Sequence, residues 1–117
     1  MEAKSIESLA EELGRAAREH GARIATAESC TAGGISYAIT SVPGSSGWVV
    51  TGIAGPDGAE PDKPVGTVCF GFAERTASGI VIESETCHFT GDRAAVREST
   101  VRQALAGLLK RINETSL

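Results

Sequence analysis

The residues best suited to chemistry lie in a serine-bearing turn, Pro43-Gly-Ser-Ser46. A serine hydroxyl such as that of Ser46 attacks a carbonyl carbon when a neighbouring base removes its proton. The oxyanion that then develops needs hydrogen-bond donors, and backbone N–H groups can supply them. A serine beside a glycine is also common in turns, so the alternative interpretation of Ser45 and Ser46 is a turn without chemistry.

A second polar turn, Thr26-Ala-Glu-Ser-Cys-Thr-Ala-Gly-Gly34, separates a short apolar stretch from a helical pattern. Free N–H groups at the start of a helix attract negative ligands, and a glycine such as Gly33 lets another group approach the main chain. Ser29, Cys30 and Thr31 would then line a binding site. In the alternative interpretation, Ser29 or Thr31 simply caps the helix.

A third turn begins at Thr51 and continues Gly-Ile-Ala-Gly-Pro-Asp-Gly58. A strand that ends in small residues such as Gly52 and Gly55 allows a ligand to reach the backbone. The Thr51 hydroxyl would donate to a phosphate or an amide. The alternative is a plain turn, indicated by the run Pro56 to Gly58.

Arg93 opens the last helical pattern directly after Gly91-Asp92. A cation at a helix N-terminus is mildly unfavourable, by about a few tenths of a kcal/mol when exposed to solvent. Bidentate contact with an anion would explain an arginine at this position. A solvent-exposed arginine is the alternative, because its cost is so small.

The elements that must position these residues follow from hydrophobic periodicity. Ser5 and Gly21 are suited to cap the first helix, and a turn around 77–79 would join two alternating strands as an antiparallel hairpin. The order α-β-α-β-β-β-α predicts layers of helix and sheet, either α/β or α+β. The predicted helices are 5–19, 31–40 and 92–112, and the predicted strands are 23–27, 47–51, 64–72 and 79–89.

Length, composition and net charge narrow the class of protein. A chain of 117 residues with 41% apolar residues predicts one domain over 1–117. A net charge of −4 argues against nucleic-acid binding, and the N-terminus lacks the pattern of a signal peptide, so we expect a cytoplasmic protein. Cys30, Cys69 and Cys87 form no CxxC pair, so we expect no metal site. Cys69, in an apolar run, is expected to be buried.

Four motifs in order resemble one family: ATAESCTAGG, SVPGSSGW, VTGIAGPDGAEPDKPVGTVCFGFA and FTGDRAAVR. They resemble the C-terminal domain of the CinA family of competence/damage-inducible proteins. Stand-alone members of that family are nicotinamide-nucleotide amidohydrolases (PncC), which convert nicotinamide mononucleotide to nicotinate mononucleotide and ammonia. The resemblance implies a layered α/β/α sandwich with a mixed sheet, and no cofactor.

The resemblance also implies roles for individual residues. Ser46 corresponds to the serine of the family's glycine-serine turn and would be the nucleophile. Ser29, Thr31 and Ser45 would line the site. Thr51 and Arg93 would contact the polar and phosphate ends of the substrate.

One departure from the family pattern lies between the second and third motifs, where Trp48-Val-Val50 leads straight into Thr51. A long segment of the family is absent there, with a tyrosine and a lysine that resemble an activating pair for the serine. Lys63 and His88 are the replacement bases considered. We therefore keep two hypotheses: an amidohydrolase, or a non-catalytic mononucleotide-binding or assembly module. Apolar surface left by the lost segment predicts a homo-oligomer.

Overall fold

The computed structural model describes residues 4–28, 31, 33–49, 53–54 and 66–114. β1 pairs in parallel with β2, and β3 pairs antiparallel with β4. The chain has a mixed α/β fold, as predicted. In chain order the elements are α1 (Ile6–His20), β1 (Ala27–Glu28), α2 (Gly34–Thr40), a 3₁₀ turn (Ser45–Gly47), β2 (Ile53–Ala54), β3 (Thr67–Thr76), β4 (Gly79–His88) and α3 (Arg93–Glu114).

Helix α1 begins and ends where its capping residues predict. The Ser5 hydroxyl accepts a hydrogen bond from the Ser8 N–H at 3.1 Å, which satisfies one donor of the first turn. Gly21 has a φ of 63°, a left-handed conformation that glycine adopts at little cost, and its N–H bonds back to the last carbonyls of the helix. Both predicted caps are confirmed.

The helices enclose the larger hydrophobic core. Trp48, which directly follows the 3₁₀ turn, is its largest fully buried side chain, with 1% of its surface exposed. Gly14 of α1 makes room for the indole, because a Cβ at that position would lie 3.0 Å from Trp48 Cζ2. The other fully buried large side chains come from all three helices: Leu13, Ile39 and Leu105.

The two predicted strands around the glycine-serine turn are shorter than their patterns suggest. Ile24 forms only an isolated parallel bridge with Val49, supported by a 2.9 Å bond from the Ile24 N–H to the Trp48 carbonyl. Gly47, predicted to begin a strand, lies in the 3₁₀ turn because its N–H bonds to the Gly44 carbonyl at 3.2 Å. Residues 50 and 51 of the second predicted strand, 47–51, lie outside the described residues.

Strands β3 and β4 form the predicted hairpin, with Thr67 opposite His88 at one end and Thr76 opposite Gly79 at the other. Alternation along β3 directs Phe70 and Phe72 toward α3 and leaves the residues between them outside. Cys69 is therefore exposed, and the expectation of a buried cysteine is wrong. An apolar run alone does not identify the face that a strand buries.

The hairpin contacts α3 closely at Gly107. The Phe72 ring occupies the space that a Cβ of Gly107 would need. The Arg111 guanidinium lies 3.8 Å from the centre of the same ring, and Gln103 Nε2 donates to Glu85 Oε1 at 3.0 Å. These contacts fix β3 and β4 against the helix.

The far face of the hairpin is apolar and exposed near its turn. Ile80 and Ile82 are 64% and 73% exposed. Among the described residues β4 pairs only with β3, so its other edge has no partner strand there. Throughout the described residues, no helix is long and apolar enough to cross a membrane.

Candidate functional site

A buried carboxylate organises the turn between β1 and α2. Glu28, with 5% of its surface exposed, ends β1. Its Oε1 accepts from the Thr31 hydroxyl at 2.6 Å and from the Ile35 N–H at 2.7 Å. Its Oε2 accepts from the Ser36 N–H at 3.0 Å, the Ser36 hydroxyl at 2.6 Å and the Thr26 hydroxyl at 3.1 Å. Five donors thus hold one side chain.

The hydrogen bonds decide the charge of Glu28. Burial raises the pKa of the carboxyl, but hydrogen bonds from Ser36, Thr31 and the backbone N–H of Ile35 outweigh burial, and the pKa lies below its ordinary value of 4.5. Glu28 is therefore ionised at neutral pH. Its negative charge at the N-terminus of α2 also complements the helix dipole.

Glu28 takes the capping role that the sequence suggested for Ser29 or Thr31. The Ile35 and Ser36 N–H groups belong to the first turn of α2 and bond to this carboxylate. The Thr31 hydroxyl donates to Glu28 instead of capping the helix. The N–H groups of residues 35 and 36 are consequently not free for an anionic ligand, contrary to the expectation for this turn. Ser29 lies outside the described residues.

A cavity of about 170 Å³ lies beside this network, between the residues of β1 and those of β3. Its polar wall includes Thr26, Glu28 and Thr31, and its apolar wall includes Phe70 and Phe72. Thr31 also borders a larger groove between the helices. The threonine therefore lies where two cavities meet.

The predicted nucleophile lies at the opposite end of α2. The Ser45 hydroxyl donates to the Thr40 carbonyl at 3.4 Å, whereas Thr31 and Gly33 precede the helix. Seven residues of α-helix are about 10 Å long. Ser46 is exposed, and within the described ranges its hydroxyl makes no hydrogen bond.

The remaining site predictions fall in several places. Arg93 is exposed on the first turn of α3, whose N-terminus is capped by Asp92 Oδ1 accepting from the Ala95 N–H at 2.8 Å. His88 contacts the Thr67 hydroxyl at 3.0 Å on the hairpin. Outside the described residues lie Ser29, Cys30, Thr51, Gly52, Gly55 and Lys63.

Glu28 is the residue that sequence reasoning missed. A signal for it exists, because Gly33 at the N-cap of α2 offers no side chain to the first N–H groups. An acceptor from elsewhere was therefore required, and Glu28 is the acidic residue of the preceding turn.

Within the described ranges, no group of three or more His, Cys, Asp and Glu side chains is placed to share a metal ion.

The sequence pattern of the CinA C-terminal domain matches residues 6–50 and 47–112, which is most of the chain. The chain belongs to the CinA C-terminal domain family. A member named nicotinamide-nucleotide amidohydrolase PncC from Pseudomonas putida is 36% identical over 157 aligned positions, covering 90% of this chain and 96% of the relative. The protein of the same name from Escherichia coli K12 is 33% identical, covering 86% and 90%.

Solved structures of the CinA superfamily have the same fold. A competence damage-inducible protein from Klebsiella pneumoniae superposes with a TM-score of 0.84 at 22% identity, covering 97% of this chain and all of the other. A competence or damage-inducible protein from Enterobacter asburiae gives 0.81 at 22% identity, covering 93% and 99%. The predicted CinA-type fold is confirmed.

Proposed function

We propose that this chain is a nicotinamide-nucleotide amidohydrolase that converts nicotinamide mononucleotide to nicotinate mononucleotide and ammonia. The observation that carries the proposal is sequence identity of 33–36% to proteins of that name, over 86–90% of this chain and 90–96% of theirs. Identity at this level over nearly whole chains, with the site motifs included, supports a shared reaction.

In the proposed reaction Ser46 Oγ attacks the carboxamide carbon. A C–O bond forms, the C–N bond breaks, and the hydroxyl proton passes to the nitrogen, which leaves as ammonia. Water then hydrolyses the ester, restores the serine and releases the carboxylate. Exposure of Ser46 supports access by substrate.

The other predicted residues would position the nucleotide. Ser29, Thr31 and Thr51 would contact its polar groups, and Arg93 its phosphate. The position of Thr31 supports this role, because its hydroxyl is held by Glu28 at 2.6 Å where two cavities meet. Glu28 would act as a positioning residue for Thr31.

A second candidate is a non-catalytic module that binds a mononucleotide or serves in assembly. The two matched parts of the family pattern meet at residues 47–50. The alignment with the Pseudomonas protein has 157 positions but includes only about 105 residues of this chain (90% of 117). About 52 positions are therefore gaps in this chain. This supports the loss of the segment that carries the family's tyrosine and lysine. Among the described residues no side chain hydrogen-bonds to the Ser46 hydroxyl, and the candidate base Lys63 lies outside them.

Ammonia release from nicotinamide mononucleotide separates the two candidates. Ser46→Ala should abolish release, whereas Ser45→Ala, which removes only a substrate-binding hydroxyl from the same turn, should weaken it without abolishing it. No release by the unchanged chain, together with a raised Tm in the presence of the nucleotide, would favour the binding module. Neither release nor a Tm shift would exclude both.

We also propose that the chain is a homo-oligomer that pairs through β4. The exposed Ile80 and Ile82 and the unpartnered edge of β4 in the described chain support this assignment. Analytical ultracentrifugation at low micromolar concentration tests it. A monomer there contradicts the proposal, and Ile82→Lys should convert an oligomer into a monomer.

A cytoplasmic location and a single domain over residues 1–117 complete the proposal. Cys87 is a free thiol, which is usual for proteins in a reducing compartment. The bond from Arg102 Nε of α3 to the Lys4 carbonyl at 3.2 Å joins the C-terminal helix to the N-terminal segment and supports one folding unit.

A further inference from the structure

Helices α1, α2 and α3 border an open groove of about 500 Å³. Small-molecule sites have volumes of about 300–1,000 Å³, so the groove is large enough for a ligand. Gly34, Tyr37 and Ala38 of α2 line the groove, and Ser41, which directly follows the helix, continues the same stripe. The groove therefore runs from the turn that holds Thr31 to the end of α2 that precedes the serine turn.

Gly34 gives this groove its floor. A Cβ at residue 34 would lie 2.9 Å from Val101 Cγ2 of α3, so the two helices are in close contact there. Farther along α2, Tyr37 borders the groove with 77% of its surface exposed. An exposed aromatic ring on a groove wall is suited to contact a flat or cationic ligand, because the face of the ring is electron-rich.

The charges beside the groove complement a zwitterionic ligand. Arg97 lines it and lies four residues after Arg93, so both guanidinium groups project from one face of α3. The Glu98 carboxylate is engaged by Arg102 at 3.1 Å and does not cancel Arg97. Glu7 of α1 supplies a negative group on the opposite wall.

We propose that this groove binds a pyridinium mononucleotide, with its ring against Tyr37 and its phosphate at Arg97. The positively charged pyridinium is attracted by the Tyr37 ring and the Glu7 carboxylate, and the phosphate accepts hydrogen bonds from the Arg97 guanidinium. This inference rests on the proposed function, because nicotinamide mononucleotide carries both charges. Tyr37 and Arg97 are new substrate-binding residues in this proposal.

The reduced form of nicotinamide mononucleotide provides a sharp comparison. Its dihydropyridine ring is neutral and not aromatic, while its phosphate and ribose are unchanged. Calorimetry on the Ser46→Ala background measures binding of both forms without turnover. Tyr37→Leu should weaken binding of the oxidised form by about 5- to 30-fold and that of the reduced form by less than about 2-fold. Tyr37→Phe keeps the ring and should bind both forms like the parent.

Arg97 has its own matched controls. Arg97→Gln should weaken both forms by about 10-fold or more, because the phosphate is common to them. Arg75→Gln removes an equal charge from the hairpin, away from the groove, and should change neither affinity. Circular dichroism melting curves confirm that each variant is folded.

The outcomes separate this inference from the proposed reaction. Ammonia release by the unchanged chain, with binding unaffected by Tyr37→Leu and Arg97→Gln, overturns the groove assignment and leaves the reaction standing. Binding that responds as expected, without ammonia release, supports the groove and overturns the reaction. If neither form binds, the groove assignment is overturned; if the unchanged chain also releases no ammonia, the reaction is overturned as well.

Discussion

The turn at Glu28 and the β3–β4 hairpin differ in what they bury. The turn buries a charged group with its hydrogen-bond partners, whereas the hairpin leaves apolar side chains exposed. The Glu28 carboxylate is buried and accepts five hydrogen bonds, all from residues within eight positions of it. The hairpin buries Phe70 and Phe72 on one face but exposes Ile80 and Ile82 on the other. The first region is complete within the chain, whereas the second presents a surface suited to another molecule.

This difference concerns function as well as stability. A site that must hold Thr31 at a fixed position benefits from a rigid network, because the placement of binding groups sets affinity. An edge strand with exposed isoleucines contributes little to that placement. The contrast leads to five predictions, from the largest expected effect to the smallest.

Trp48→Ala should produce the largest loss of stability. The indole is 1% exposed and packs on Gly14 in the larger hydrophobic core. Truncating a buried tryptophan costs about 3–5 kcal/mol, through lost burial and the cavity that remains. Urea denaturation measures the change. Circular dichroism is the signal, because Trp48 is the only tryptophan of the chain and the variant has no tryptophan fluorescence. Trp48→Phe, the milder control, should cost less. A loss below about 1 kcal/mol for the alanine variant would contradict this account of the core.

Glu28→Gln should destabilise the fold by about 2–3 kcal/mol. The Thr26, Thr31 and Ser36 hydroxyls can rotate to accept from the new amide, but backbone N–H groups cannot. Either orientation of the amide therefore leaves the Ile35 or Ser36 N–H facing another donor. Glu12→Gln, which removes only a surface ion pair with Lys4, should cost less than about 1 kcal/mol.

The pH dependence of unfolding in the parent and in Glu28→Gln tests the charge of Glu28. Its folded pKa lies below the ordinary value of 4.5, so the unfolded chain binds the proton more readily. The stabilisation is fully present above that unfolded value and is lost as the pH falls through the folded pKa. The difference in unfolding free energy between the parent and Glu28→Gln should be constant near neutral pH and shrink below 4.5. A difference that grows in acid would mean that the carboxyl is neutral in the fold.

Gly107→Ala should destabilise the contact between α3 and the hairpin. Alanine in a helix interior normally gains about 1 kcal/mol over glycine. Here the added Cβ collides with the Phe72 ring, and overpacking costs about 1–3 kcal/mol. Thermal unfolding measures the sum, and Ala106→Gly at the adjacent exposed position reports the propensity term alone. A Tm higher than that of the parent would show that Phe72 moves aside freely.

Ile82→Thr should have the smallest effect on folding, within about 0.5 kcal/mol, because the side chain is 73% exposed. Threonine keeps the β-branch, so strand propensity is retained. If a second chain covers this face, the same substitution should instead weaken self-association in analytical ultracentrifugation. Unfolding that depends on concentration in the parent but not in the variant would sharpen the contrast with Glu28. A large loss at all concentrations would place Ile82 in the core of the single chain.

Much of the fold could be predicted from local patterns. Ser5 and Gly21 end α1 because each meets a local requirement of the helix backbone, and the hairpin turn follows from alternation on both sides of residues 77–78. The predicted helix 92–112 agrees with α3 to within two residues at each end. Such features depend on neighbours within about one helical turn.

The candidate site was predicted less completely. The motif that contains Glu28 is visible in the sequence, but the hydrogen bonds from residues 35 and 36 to its carboxylate form only once α2 has folded. Strand alternation along β3 could have predicted that Cys69 is exposed. The separation of Ser46 from Thr31 by the length of α2 remained unknown, because spacing in sequence does not fix direction in space.

The sequence by itself determined the family, the caps of α1, the hairpin and the long C-terminal helix, because hydrophobic periodicity and capping are local. Only the tertiary structure decided that Glu28 is the buried acceptor for the start of α2, that Tyr37 and Arg97 border one groove, and that Ile80 and Ile82 face outward. These facts depend on how helices and strands pack, and packing brings together residues whose separation in sequence carries no signal of their contact.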